Sequence, residues 1–266
     1  MQARLNNRKS PILVSGGTGT LGRLVVARLL DAGCEVRVLT RTSRPSEHGI
    51  QFVTGDLVRG DHVEPAVDGV AAIVHCASST KGDVEATRNL VRAAASRPRQ
   101  PHLVFISIVG VDTLSWGYMR SKLEAERVVI GSGLPWTILR ATQFYDFVLS
   151  GAERMTKLPV IPVPSRFMVQ PIDPDDVAAR LVELALGDPE GRVPDLGGPK
   201  VSTWDEMLRS YLRARRRRRL IVPVRIPGMR VVRAGGLLPA QASAPHATGR
   251  RTWEEFLADN TPPGRQ

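Results

Sequence analysis

The stretch Ser15-Gly16-Gly17-Thr18-Gly19-Thr20-Leu21-Gly22 constrains this chain more than any other. It follows the short apolar run Ile12-Leu13-Val14 and leads into Leu21, Val25 and Leu29, four apart on one helical face. A strand, a glycine turn and a helix in that order open a βαβ unit, whose strands pair in parallel. Glycine permits the tight turn and lets backbone approach a ligand closely. The helix N-terminus adds free N–H groups and the positive end of the helix dipole, so the turn suits a pyrophosphate. Its position between strand and helix is what makes the signal specific. Gly16, Thr18, Gly19, Thr20, Leu21 and Gly22 are the expected contacts of a dinucleotide.

The alternation continues for half the chain. A helix is expected from Leu21 to about Ala32, with Gly33 where a C-cap glycine belongs. Further strands are expected at Val36–Leu39, Gln51–Thr54, Ala71–His75, Leu103–Ser107 and Trp136–Arg140, with helices at Val84–Ala95 and Tyr118–Ile130. This predicts an α/β fold, a Rossmann-type doubly wound parallel sheet with ligands at the C-terminal ends of the strands. The second half is richer in proline and predicts a small, less regular C-terminal substrate lobe. Asp173-Pro174 reads as an N-cap opening a helix to about Leu186, and Thr203-x-x-Glu206 and Thr252-x-x-Glu255 fit capping boxes. Leu220–Ala240, broken by prolines and glycines, is expected to be irregular and to border a substrate pocket with 143–148 and 168–171. No internal repeat is visible. The expected organisation is one domain over 11–260, with substrate-lobe segments in 143–172 and 190–260 and flexible ends at 1–10 and 261–266.

The end of the second strand chooses between NAD(H) and NADP(H). An acid there would bind the ribose 2′-hydroxyl, whereas arginine accepts a 2′-phosphate. Thr40-Arg41-Thr42-Ser43-Arg44 contains no acid, so Arg41 and Arg44 favour NADP(H), with NAD(H) the alternative. Tyr118 and Lys122, four apart, share a helical face. A nearby ammonium lowers a phenol's pKa, which would let Tyr118 exchange a proton with a carbonyl; lysine can also bind a ribose.

These features resemble the short-chain dehydrogenases/reductases, in their atypical, NmrA-like NAD(P)H-binding branch. The matching segments are Ser15–Gly22, Thr54-Gly55-Asp56-Leu57, His75-Cys76-Ala77-Ser78, Phe105-Ile106-Ser107, Tyr118–Lys122 and Leu134–Arg140. Gln170–Ala178 and Thr252–Leu257 extend the likeness towards the C-terminus. The resemblance implies that Asp56 and Leu57 border the adenine, and that Ala77 and Ser78 lie along the cofactor near the nicotinamide ribose. It implies Ser107 as the substrate-polarising serine, Tyr118 as acid/base and Lys122 as its partner. Gln143 would face the nicotinamide or substrate, with Phe144 and Phe147 beside it in the pocket. Two residues keep another reading: Asp56 as the cap of the next turn, Ser78 as a loop serine. One departure stands out. A serine or threonine pair usually follows the fifth strand, whereas Ser107 precedes Ile108 and Val109, which makes Ser115 a substitute candidate.

Composition limits the rivals. No apolar run reaches the roughly 18–20 residues of a membrane span, and Met1–Ser10 lacks the apolar core of a secretion signal. Cys34 and Cys76 form no CxxC pair, so no disulfide framework or metal site is expected and the chain reads as cytoplasmic. The formal net charge of +11 is mostly arginine, densest at Arg213 and Arg215–Arg219. That run is expected to end a helix as a solvated or substrate-facing cluster, with no specific nucleic-acid partner. The expected function is an NADP(H)-dependent oxidoreductase of a small carbonyl, quinone or conjugated alkene, as a monomer or homodimer. A non-catalytic redox sensor and an epimerase or dehydratase on the same fold are the alternatives.

Overall fold

The computed structural model describes residues 10–78, 82–114, 117–225, 235–240 and 247–260. The chain divides into two compact units. The first comprises Met1–Ser107, Ser115–Arg140 and Ala178–Val193; the second comprises Ile108–Leu114, Ala141–Val177 and Pro194–Gln266.

The first unit is built on alternating strands and helices: β1 (Ile12–Ser15), α1 (Thr20–Asp31), β2 (Val36–Thr40), β3 (Ile50–Thr54), α2 (Val63–Val67) and β4 (Ala72–His75). These lead to α3 (Asp83–Ala95), β5 (His102–Ile108), α4 (Gly117–Ile130) and β6 (Trp136–Ala141). The strands form one parallel sheet in the order β3-β2-β1-β4-β5-β6-β9, where β9 is Gly191–Arg192. Strand β1 pairs with β2 on one side and β4 on the other, Val14 facing Val38 and Val74. The order therefore reverses at β1, and such a reversal opens a crevice at the strands' C-terminal ends. Strands β1 and β4 lie inside this array, buried at every position, and carry the unbroken apolar runs Ile12–Val14 and Ala72–Val74, as strands covered on both faces must. Leu13, Ile73, Leu103, Phe105, Leu90 and Val129 meet in one core between the sheet and α2, α3 and α4. Gly33, at φ +74°, turns the chain out of α1. The five-residue helix α2 carries too little periodicity to be expected from sequence.

The second unit contains α5 (Tyr145–Met155), β7 (Val160–Pro164), β8 (Met168–Val169), β10 (Ser202–Thr203), α7 (Trp204–Ala214), β11 (Leu220–Val224) and α8 (Trp253–Asn260). Helix α6 (Pro174–Leu186) starts at the Asp173 cap, whose carboxylate accepts from the Asp175 N–H at 2.8 Å. Both capping boxes form: Glu206 accepts from the Thr203 N–H at 2.7 Å, and Glu255 from the Thr252 N–H at 2.7 Å. Tyr145, Trp253 and Phe256 pack at centroid distances of 5.3–5.7 Å in this unit's core, Trp253 and Phe256 stacked and Tyr145 tilted against both.

One expectation is corrected here. Leu220–Val224 is not irregular; it is β11, paired in parallel with β7 from Leu220 opposite Val160 to Val224 opposite Pro164. Pro162, Pro164 and Pro223 hid both strands, because proline breaks an interior strand but is tolerated in a two-stranded ribbon with open edges. Residues 226–234 of the same stretch lie outside the described residues.

Candidate cofactor and active site

The glycine turn is held by its own backbone. The Gly19 N–H donates to the Gly16 carbonyl at 2.9 Å, and Gly16 takes φ +71°. A Cβ on Gly16 would lie 2.6 Å from the Ala77 nitrogen, so only glycine lets the β1 turn approach the end of β4. A Cβ on Gly22 would lie 2.1 Å from the Gly16 carbonyl oxygen, so α1 starts against the turn itself. Helix α1 has no side-chain cap at Gly19 and no acid in its first turn. Its first N–H groups and positive dipole end therefore stay available to an anion. Thr18, Gly19 and Thr20 are exposed, whereas the Leu21 side chain is core, leaving its backbone N–H for a ligand.

Arg41 and Arg44 follow β2 and are exposed, and among the described residues neither makes an ion pair. Asp56 caps the turn after β3: one carboxylate oxygen accepts from the Val58 N–H at 2.8 Å and the Arg59 N–H at 3.3 Å. Leu57 packs partly against the core.

At the end of β4, Ser78 meets α3 and α4. Its Oγ lies 2.7 Å from the Tyr118 hydroxyl and donates to Asp83 Oδ2 at 3.2 Å. Asp83, in the first turn of α3, also holds Lys122 of α4, Nζ to Oδ2 at 3.3 Å, with both side chains buried. Lys122 Nζ lies 4.9 Å over the Phe105 ring and 3.5 Å from the Ile106 carbonyl. The expected effect of Lys122 on Tyr118 is therefore not what the geometry produces. The ammonium is turned into the core and matched by Asp83. The Tyr118 phenol is raised from its ordinary value, first by burial and then by the Asp83 charge, with the Ser78 hydrogen bond opposing. Burial also lowers Lys122, against the pull of Asp83. The Tyr118 ring nonetheless stays 37% exposed, so its hydroxyl remains within reach of solvent and ligand.

Beneath this corner runs a buried polar chain. Ser15 Oγ lies 2.6 Å from His75 Nδ1, His75 Nε2 lies 3.2 Å from Thr87 Oγ1, and Thr87 donates to the Asp83 carbonyl at 2.7 Å. Burial, then the Lys122 charge, pushes His75 down to about 3, so the ring is neutral. Burial pushes the Cys76 thiol up to about 12. Ser107, at the end of β5, is buried, and its hydroxyl has no hydrogen-bond partner among the described residues. A native interior rarely leaves such a group unmatched. Ser115 lies outside the described residues.

Gln143, Phe144 and Phe147 belong to the second unit. Gln143 is half-buried, with Oε1 unmatched among the described residues. Phe144 is the residue before α5, and Phe147 is largely exposed. Val148 and Val169, within the expected pocket stretches, are instead core residues of that unit. Sequence reasoning missed Asp83, Thr87 and His75 as participants. Asp83 reads as an ordinary acid at a helix start, and only the packing of α3 on α4 brings it to Lys122.

A reversed parallel sheet, a glycine cradle that a single Cβ would fill and an uncapped helix N-terminus beside it define a Rossmann-type dinucleotide-binding protein. Residues 16–188 match the model of the family described as NAD(P)H-binding. The chain belongs to this NAD(P)H-binding family. It is 33% identical over 201 residues to (4-alkanoyl-5-oxo-2,5-dihydrofuran-3-yl)methyl phosphate reductase of Streptomyces griseus, covering 72% of this chain and 69% of that one. It is 29% identical over 204 residues to the photosystem II assembly factor Ycf39 of Trieres chinensis, covering 71% of this chain and 64% of that protein. The NADPH-bound quinone oxidoreductase of Escherichia coli superposes with a TM-score of 0.79 at 18% identity, over 94% of this chain and 99% of that chain. At that identity the likeness is one of fold.

Proposed function

We propose that the protein is an NADP(H)-dependent reductase of a small carbonyl, quinone or conjugated alkene, with Tyr118 as the proton donor. The observation that carries this reading is the Tyr118 hydroxyl, part-exposed and fixed by Ser78 at the end of β4, whose next residue back, Ala77, touches the glycine turn. In this reading the backbone of Gly16–Gly22 and the N-terminus of α1 hold the pyrophosphate, and Arg41 and Arg44 hold the 2′-phosphate. Asp56 and Leu57 border the adenine, and Ala77 and Ser78 lie along the nicotinamide ribose. Ser107 offers its unmatched hydroxyl to the substrate oxygen. A dihydronicotinamide held there would supply the hydride. Tyr118 supplies the proton, its phenol being protonated near neutral pH as any tyrosine is. Gln143, Phe144 and Phe147 are proposed as substrate contacts. Two comparisons support the reaction class: a relative named as a (4-alkanoyl-5-oxo-2,5-dihydrofuran-3-yl)methyl phosphate reductase and a structural neighbour named as an NADPH-dependent quinone oxidoreductase.

The test is NADPH consumption by the purified protein across a panel of quinones, carbonyls and conjugated alkenes. Tyr118→Phe is expected to lower turnover by at least about 100-fold while NADPH still binds, as read by its fluorescence. Undiminished turnover in that variant removes Tyr118 from the chemistry. A second reading is favoured by the likeness to an assembly factor and by the buried, neutralised Lys122. In it the chain binds the dinucleotide without turning substrate over, and the wild-type protein consumes no NADPH across the panel.

A further inference from the structure

The corner where β4, α3 and α4 meet contains two groups able to stabilise a tyrosinate, and the geometry gives them unequal access. Lys122 is four residues from Tyr118, but its ammonium is 2% exposed and sits between Asp83, the Phe105 ring and the Ile106 carbonyl. Ser78 is exposed, and its hydroxyl touches the phenol directly at 2.7 Å. A serine hydroxyl has one hydrogen to give. Ionised Asp83 can only accept, so while Tyr118 is a phenol the Ser78 hydrogen points to Asp83 and the Tyr118 hydrogen points to Ser78.

We propose that Ser78 stabilises the Tyr118 phenolate by turning its O–H from Asp83 to Tyr118 as the phenol gives up its proton, and that Asp83 is the positioning residue for this switch. The inference rests on Tyr118 being the proton donor proposed above. During reduction the Tyr118 O–H bond breaks and the substrate O–H bond forms. The charge left on the phenolate is met by the Ser78 O–H, which breaks no covalent bond. The phenolate then takes its proton from water, which reaches the part-exposed ring but not buried Lys122. Asp83 does two things at once: it holds the Lys122 charge in the core, and it parks the Ser78 hydrogen until it is needed. Among the described residues, the titratable and charged groups at this corner are Asp83 on α3, Lys122 and Glu126 on α4, and His75 and Cys76 at the end of β4, the last two held neutral.

The experiment is an ultraviolet tyrosinate titration of the protein without cofactor. Subtracting Tyr118→Phe isolates Tyr118 from the other two of the three tyrosines. Ser78→Ala is expected to raise the Tyr118 midpoint by about one pH unit, the size of one lost hydrogen bond to the charged form. Ser78→Thr, which keeps the hydroxyl, restores it. Because Ser78 is exposed, neither change removes core packing. A Ser78→Ala midpoint equal to wild type overturns the inference, even if the wild-type protein reduces a quinone. A raised midpoint in a protein that turns nothing over supports the Ser78–Tyr118 switch and sinks the proposed reaction instead. Where turnover is seen, Ser78→Ala should lower kcat about tenfold, and Ser78→Thr should recover it.

Discussion

At the scale of single residues, the steric demands are sharpest at Gly22 and the electrostatic ones at the Asp83–Lys122 pair. A methyl on Gly22 meets the Gly16 carbonyl at 2.1 Å, whereas one on Gly19 meets the same atom at 3.3 Å. Gly22→Ala should therefore cost about 1–3 kcal/mol, as overpacking does, and Gly19→Ala less than half of that; urea midpoints at constant slope decide it. Asp83→Asn leaves a buried ammonium without its counter-charge, and such a loss costs about 3–5 kcal/mol. Adding Lys122→Met to Asp83→Asn should recover most of that stability, which a double-mutant cycle in denaturant measures. The glycines were legible in the sequence because their spacing carries a mechanism. Asp83 was not, because its role depends on a partner 39 positions away on another helix.

At the scale of elements, β4 and α3 share a buried polar seam through His75 and Thr87. The unfolded chain protonates His75 below its ordinary value of 6.5, whereas the folded chain resists until about 3. Between those limits the unfolded state binds more protons, so stability falls as pH falls. The slope from this one group is about 1.4 kcal/mol per pH unit. His75→Gln should flatten it between pH 6 and pH 4 in urea titrations at fixed temperature; an unchanged slope would show that carboxylates alone set the acid limit. Apart from α2 and β9, the helix and strand positions of the first unit were legible to within a residue or two, since each apolar run and each cap acts locally. Strands β7 and β11 were not, since prolines mask them and each is a strand only because the other pairs with it.

At the scale of the whole molecule, the charge excess of 37 basic over 26 acidic side chains could attract any polyanion. The arginine run, however, is partly engaged: Arg215 lies 3.7 Å from Glu153 and bonds the Tyr211 hydroxyl, and Arg219 donates to the Thr156 carbonyl. Association with DNA or anionic vesicles should therefore vanish by about 0.15 M salt, where the screening length is about 8 Å; binding that persists there would reveal a dedicated site. The proposed preference for NADP(H) also belongs to this scale, because Arg41 follows a different strand from the glycine turn. Arg41→Glu should weaken NADPH binding about tenfold or more while leaving NADH binding nearly unchanged, as competitive fluorescence titration would report. By itself the sequence determined the main strands and helices of the alternating first half, the glycine turn and the Tyr118/Lys122 face, because each follows from spacing along the chain. Only the tertiary structure decided that Lys122 turns inward to Asp83 and that Ser78 takes its place beside the phenol. Which charge meets which is settled by burial and by the packing of distant elements, and neither is written in local spacing.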